Sequence, residues 1–252
     1  MTNEVAMKIN ILTIFPEMFR PLSESMLGRA EQSGILEFNI VDIREYTENK
    51  HRRVDDTPYG GGAGMVMAVQ PIIDAYRQND FGGRVLYMSP RGKMLNGEMA
   101  EEFSREKELT ILCGHYEGVD QRVLDLLGAE EVSIGDYVLT GGELPAMVLI
   151  DTVARFIDGV LASEESALDE SIYSGLLEYP HYTKPREIEG LEVPEILLSG
   201  NHQEIDLWRF EEAVKLTAER RPEMLEKFVS VDRKFSKKEK LILEKYIDHK
   251  IQ

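Results

Sequence analysis

Residues 132–147 read Val-Ser-Ile-Gly-Asp-Tyr-Val-Leu-Thr-Gly-Gly-Glu-Leu-Pro-Ala-Met. An apolar, strand-like piece runs into Gly135, resumes over Tyr137–Leu139 and breaks at Gly141-Gly142. Pro145 falls near the start of a long apolar helical run, where its missing N–H costs no intrahelical hydrogen bond. Two closely spaced glycine interruptions let backbone amides and carbonyls approach a ligand without interference from Cβ atoms. A strand–turn–helix corner with glycines chosen for packing would read the same way, and spacing does not decide between the two.

On the N-terminal side of that stretch, strands alternate with helices. Met7–Phe15 is isoleucine-rich and alternating, which predicts a strand behind a loose extension at Met1–Ala6. Pro16 opens a predicted helix to about Gln32, with Phe19, Leu22, Met26 and Leu27 on one face and Gly34 ending it. Phe38–Ile43 follows as a strand. Arg44–Gly64 is polar, then glycine-rich, and reads as a long loop of the kind that is usually functional or mobile. Val69–Gln78 predicts a helix, Val85–Met88 a strand, Asn96–Lys107 a helix and Leu109–Cys113 a strand. Asp120–Leu127 then reads as a short helix and Glu131–Ile134 as a strand.

This alternation implies an α/β fold with a mostly parallel sheet. Ligands of such sheets bind at the carboxyl ends of the strands. Three strand ends carry small or polar residues: Ser89-Pro90-Arg91-Gly92, Gly114-His115-Tyr116-Glu117-Gly118, and Gly135 onward. One pocket built from those three turns is the simplest expectation. Past residue 147 the helix extends to about Ile157. Residues 162–175 lack apolar periodicity and carry Glu164, Glu165, Asp169 and Glu170, as a linker would. Glu204–Glu219 is amphipathic, Pro222 opens a second helix and Ser236-Lys-Lys-Glu239 is a capping-box start for a third. The expected organisation is an α/β domain at 1–161, a linker at 162–175 and a small all-helical domain at 176–252.

Composition narrows the function classes. A chain of 252 residues, 42% hydrophobic and 30% charged, is ordinary for a soluble globular protein and can bury one large or two modest cores. No apolar run reaches a membrane span and no basic-then-apolar leader precedes the first strand, so a cytoplasmic protein without a membrane partner is expected. The single cysteine, Cys113, excludes an intrachain disulfide and a cysteine-cluster metal site. Its apolar neighbours Ile111 and Leu112 favour a buried thiol over a nucleophile. There is no His-Glu-x-x-His, and five scattered histidines suggest no metal site. Gly60-Gly61-Gly62-Ala63-Gly64 lacks the Lys-Ser/Thr of a phosphate loop and the spacing of a dinucleotide fingerprint. The net charge of −17 by itself argues against a nucleic-acid partner. Charge acts through patches, however. Lys50-His51-Arg52-Arg53, Arg220-Arg221 and Lys234 with Lys237-Lys238 are local basic clusters that would also pass as solvated faces.

The segment Ser-Ile-Gly-Asp-Tyr-Val-Leu-Thr-Gly-Gly-Glu-Leu-Pro closely resembles the cofactor loop of the bacterial tRNA (guanine-N1)-methyltransferases, members of the knotted SPOUT methyltransferases. The resemblance extends colinearly through Asn10–Phe19, Pro58–Met65 (Pro-Tyr-Gly-Gly-Gly-Ala-Gly-Met), Leu112–Asp120 (Leu-Cys-Gly-His-Tyr-Glu-Gly-Val-Asp), Tyr179–Pro185 and Leu198–His202. It covers about residue 7 to about residue 230. It implies a C-terminal trefoil knot in the α/β domain, which no periodicity reveals and which connection rules alone would not produce. It also implies S-adenosylmethionine as the ligand, held bent by the three turns. Tyr87, Met88, Ser89 and Pro90 would line one side, and Gly114, Tyr116 and Glu117 a second. Ile134, Gly135, Tyr137, Leu139, Gly141, Gly142 and Pro145 would line the third. Backbone groups reading the adenine edge, with apolar side chains on its faces, suit such a pocket, and Glu117 suits a ribose hydroxyl. Without the resemblance, Tyr87 and Leu139 would read equally as core residues.

Methylating guanine N1 requires a base for its proton and a cation for the charge that develops on O6. The family uses an arginine for the second task, and Arg155 in Ala-Arg-Phe-Ile matches it; a structural ion pair is the competing account. Family members often read Glu-Asp-Ser ahead of an aromatic and a glycine, with that aspartate as base. Here the segment is Leu168-Asp169-Glu170-Ser171-Ile172, so Glu170 takes the aspartate's place and Asp169 sits where glutamate is usual. Glutamate has comparable acidity and one extra methylene. Glu170 is therefore the first candidate base and Asp169 the second, against the alternative that both are solvated linker carboxylates. A base on a linker implies that the segment orders when RNA binds.

The resemblance further implies a tRNA substrate modified at guanosine 37, base extrusion, and a homodimer whose cofactor site and linker come from different subunits. Assistance by a divalent ion such as magnesium is a further option that no sequence pattern records. Two other readings compete. A non-catalytic RNA-binding protein could keep the fold after losing its base. An open-sheet Rossmann methyltransferase is disfavoured, since no Gly-x-Gly turn follows the first strand.

Overall fold

Parallel strands covered on both faces need apolar residues at successive positions, and this chain supplies them. The computed structural model describes residues 5–161, 174–231 and 233–247. The chain divides into two compact units, Met1–Ser163 and Glu164–Gln252. In the first, β1 (Met7–Thr13) leads through a 3-10 turn (Pro16–Ser23) into α1 (Ser25–Gln32) and β2 (Leu36–Asp42). β3 (Asp55–Asp56) and β4 (Val66–Met67) form a short antiparallel hairpin ahead of α2 (Val69–Gln78). Then come β5 (Arg84–Met94), α3 (Gly97–Phe103), β6 (Glu108–Leu112), α4 (Gln121–Leu127), β7 (Glu130–Ser133) and α5 (Glu143–Ala154). One five-stranded sheet has the order β2-β1-β6-β5-β7, with every neighbouring pair parallel. The α/β class and the parallel sheet expected from the sequence are both found.

Both faces of that sheet are core. Ile9, Ile11, Leu86, Met88, Leu109 and Ile111 pack with Phe103 of α3 and with Ala146, Leu149, Ile150 and Val153 of α5. Leu12, Ile14, Tyr87 and Leu112 pack instead with Ile72 and Ile73 of α2 and with Val123 and Leu124 of α4. Each buried Leu or Ile side chain contributes about 1.5–3 kcal/mol, so both layers of helices are held to the sheet. Asn10, buried mid-strand, is satisfied: its amide donates to Glu108 at 2.7 Å and Thr110 at 3.3 Å, and its carbonyl accepts from Asn39 at 3.1 Å.

Several local expectations are corrected. The helix predicted over Pro16–Gln32 is two pieces, because Pro21 lies inside the first and Glu24 is extended, with Ser25 at φ +55°. Tyr137–Leu139 is not a strand but an irregular loop, with Tyr137 55% and Val138 83% exposed. α3 stops at Phe103 rather than Lys107. α5 begins at Glu143, so Pro145 is its third residue, and it ends at Ala154 rather than Ile157.

The second unit is not all-helical as expected: β8 (Glu187–Ile188) and β9 (Leu191–Glu192) form a hairpin, turned at Gly190 with φ +81°, ahead of α6 (His202–Arg220), α7 (Pro222–Ser230) and α8 (Lys237–Ile247). Leu176, Val214, Leu225, Phe228, Ile242 and Leu243 make its core. Pro222 is the first residue of α7. The capping box before α8 forms: Ser236 N–H donates to Glu239 Oε2 at 2.6 Å, and Glu239 N–H to Ser236 Oγ at 3.3 Å. Residues 162–173, where the linker is expected, lie outside the described residues. No described helix is long and apolar enough to cross a membrane.

Candidate functional site

The carboxyl ends of β5, β6 and β7 surround a cavity of about 470 Å3. After Met88, β5 leaves its partner and returns to it. Met88 and Lys93 both pair with Val132, so Ser89–Gly92 bulge out as one wall. Beyond β6 the chain turns at Gly114–Val119, with Tyr116 at φ +59° and Gly118 N–H donating to His115 O at 3.1 Å. After β7, Ser133 Oγ accepts from Gly135 N–H at 3.2 Å and donates to Gly135 O at 3.1 Å, which fixes the next turn. The Tyr137 hydroxyl then donates to Ile134 O at 3.2 Å, folding its ring over Gly135.

The loop after β7 is tied back to the β6 turn. Gly142 N–H donates to Gly114 O at 2.8 Å, and His115 bridges Gly141. A Cβ on Gly142 would meet Cys113 Cα at 2.8 Å and Gly114 N at 2.9 Å, so only glycine permits this approach. Tyr87 crosses beneath Gly114, where a Cβ would meet its hydroxyl oxygen at 2.7 Å. Burial raises the Tyr87 phenol above its ordinary range, keeping it protonated as part of the wall.

All fourteen residues expected to hold the ligand line this one cavity: Tyr87, Met88, Ser89, Pro90, Gly114, Tyr116, Glu117, Ile134, Gly135, Tyr137, Leu139, Gly141, Gly142 and Pro145. Arg155 is not among them. It follows the last residue of α5, and the twelve residues of that helix span about 18 Å. Asp169 and Glu170 lie outside the described residues. Among the described residues no group of three or more His, Cys, Asp or Glu is placed to hold a metal ion.

The sequence did not single out the bracing beneath the cavity. Glu143, 1% exposed, accepts from Thr13 Oγ1 at 2.7 Å and lies 3.2 Å from His115 Nε2, so one carboxyl joins β1, the β6 turn and the start of α5. An acid at the first position of an apolar helix was the available signal, since helix N-termini favour carboxylates. Burial, with the Glu143 charge beside it, pushes the Cys113 thiol well up, which makes it the inert thiol its neighbours suggested.

A parallel α/β sheet with glycine-built turns around a cavity of this size defines a protein with a ligand-sized site at its strand ends. Glycines at 114, 135, 141 and 142 and the apolar side chains Met88, Ile134 and Pro145 share its wall, while Tyr116, Tyr137 and Leu139 are its more exposed lining residues. A family model described as tRNA (Guanine-1)-methyltransferase TrmD matches residues 7–227. A tRNA (guanine-N(1)-)-methyltransferase of Clostridioides difficile (strain 630) is 52% identical over 227 residues, covering 88% of this chain and 98% of the relative. Relatives of the same name from Clostridium perfringens (strain SM101 / Type A) and Alkaliphilus oremlandii (strain OhILAs) are 55% identical over 223 residues and 52% over 248. They cover 88% and 94% of this chain and 94% and 98% of their own lengths. The chain belongs to the tRNA (guanine-1)-methyltransferase family.

Proposed function

We propose that this protein transfers a methyl group from S-adenosylmethionine to N1 of guanosine in tRNA, at position 37. The single cavity that gathers three strand-end turns is the observation that carries the reading. S-adenosylmethionine supplies an electrophilic methyl group when bound. The Gly135 and Gly141-Gly142 backbone, with Leu139 and Pro145, would hold its adenine, and Glu117 would take a ribose hydroxyl. Glu170 takes the N1 proton, with Asp169 the second candidate, and Arg155 stabilises the negative charge growing on O6. The non-catalytic alternative is disfavoured, because the relatives quoted are all named as methyltransferases.

The working unit in this reading is a homodimer in which one subunit's linker and Arg155 complete the other's cavity. The distance along α5 between the cavity and Arg155 supports it, as do Leu144 and Val148, which leave apolar surface on α5 50% and 47% exposed. A trefoil knot in the passage after β7 is likewise inferred, supported by the ties from Gly141 and Gly142 to the β6 turn. Residues 176–252 serve as the mainly helical tRNA-binding domain in this reading, and a tRNA substrate supports a cytoplasmic enzyme.

Unmodified tRNA incubated with protein and S-adenosylmethionine, then digested and analysed by mass spectrometry, tests the reading. Wild type yields 1-methylguanosine, while Glu170→Ala and Arg155→Ala lose roughly 100-fold or more in rate with donor affinity unchanged. A wild type that makes no 1-methylguanosine overturns the proposal; loss in Asp169→Ala instead of Glu170→Ala reassigns the base.

A further inference from the structure

Tyr59 is 98% exposed, more than any other large apolar or aromatic side chain among the described residues. It occupies a corner of a tight turn, Pro58–Gly61, closed by Gly61 N–H donating to Pro58 O at 3.2 Å. Gly60 beside it has φ +86°, a left-handed backbone that suits the third position of such a turn. The ring is thus held out from the chain by a defined turn.

The arm bearing this turn is rooted in the cavity wall. β3 and β4 form its stem. Glu117 N–H donates to Met65 O at 3.0 Å, Met67 N–H to Gly118 O at 2.9 Å and Asp120 N–H to Met67 O at 3.0 Å. Gly64 lies against the Glu117 side chain, where a Cβ would meet Cγ at 2.4 Å. The residue nominated for the donor's ribose therefore also packs against the arm. The chain entering the stem is the exposed run Lys50-His51-Arg52-Arg53. Arg52 is paired with Glu45, Arg122 with Asp120, and Asp55 and Asp56 add negative charge at the stem.

We propose that Tyr59 is a stacking platform for an unpaired nucleobase of the RNA substrate, presented beside the methyl-transfer cavity. The inference rests on the function proposed above and extends it to a residue outside the cavity wall. A tyrosine ring offers a flat face to any base, has few torsions to freeze, and needs no base-specific hydrogen bond. Cations at the foot of the same arm suit the phosphates that accompany an unpaired base. An isolated solvated tyrosine needs neither the rigid turn nor the hydrogen-bonded root.

Equilibrium binding of unmodified tRNA to the full-length protein tests this, with donor affinity and oligomeric state measured on the same samples. Tyr59→Ala weakens tRNA binding roughly tenfold to hundredfold, while Tyr59→Phe and Tyr59→Trp stay near wild type and donor binding is unchanged. Indole emission of Tyr59→Trp in a Trp208→Phe background is quenched as tRNA is added. Wild-type tRNA affinity in Tyr59→Ala overturns the inference alone. So does a Tyr59→Phe variant as weak as Tyr59→Ala, which would assign the hydroxyl, or a changed oligomeric state, which would assign the ring to a second copy. A wild type that binds no tRNA overturns the inference and the proposed function together; one that binds through Tyr59 but methylates nothing overturns only the function.

Discussion

The cavity and the Asp55–Met67 arm are both rich in glycine, for opposite physical reasons. At Gly142 in the cavity wall, a Cβ would strike neighbouring backbone. At Gly60 and Gly61 in the arm, a Cβ would meet nothing within 4 Å, yet both have positive φ. The first glycine lets two chain segments touch; the second lets one chain turn. Beneath the cavity lie a buried carboxyl and a buried thiol, whereas the arm ends in an aromatic ring surrounded by water. One region is built to keep its shape, the other to present a side chain.

Gly142→Ala puts the comparison to its hardest test. The added Cβ has only backbone to displace, so stability falls by about 3 kcal/mol and donor binding is lost, read by urea denaturation and calorimetry. An alanine variant with wild-type midpoint and affinity would dissolve the distinction. Glu143→Ala comes next. It leaves His115 and the Thr13 hydroxyl short of a buried partner, costing about 2 kcal/mol in the same denaturation assay. A neutral result would mean that the carboxyl does not brace the cavity floor.

The buried thiol beneath the cavity gives a pH signature. Cys113 keeps its proton in the folded state after the unfolded chain has begun to lose it. Stability is therefore full below the unfolded thiol's range and falls as pH rises above about 8.5, by up to roughly 1.4 kcal/mol per pH unit. Cys113→Ala removes that slope in melts taken across pH 8–10; a slope that survives the substitution assigns it elsewhere. Gly61→Ala is the mildest change, costing about 1 kcal/mol of backbone strain and leaving donor affinity at its wild-type value. A loss of donor binding there would show that the arm and the cavity form one rigid body.

What the sequence disclosed follows the same division. Turn chemistry leaves its residues in plain view, so Gly135, Gly141, Gly142 and Pro145 marked a corner, though spacing left open whether it served a ligand or packing. The strands were legible because both faces of a parallel sheet are apolar, as in Ile9, Ile11 and Leu12. Tyr137–Leu139 misled for the same reason: apolar residues edging a cavity look like a strand in one dimension. The Thr13–Glu143 hydrogen bond joins residues 130 positions apart, a separation no local pattern encodes. Pro21 gave notice of the broken helix, but Pro16 ahead of it suggested a single start. The resemblance, rather than periodicity, assembled the ligand residues into a set, and it alone nominated Arg155 and Glu170.

The excursion of β5 has a consequence for redesign. Because Ser89–Gly92 depart from and rejoin the same partner residue, the length of that wall is uncoupled from the alignment of the sheet. A library of longer or shorter inserts between Met88 and Gly92 could enlarge the chamber for bulkier sulfonium donors while the strands stay in step, provided the return leg keeps the residue whose Cβ would otherwise strike Glu131 at 2.3 Å.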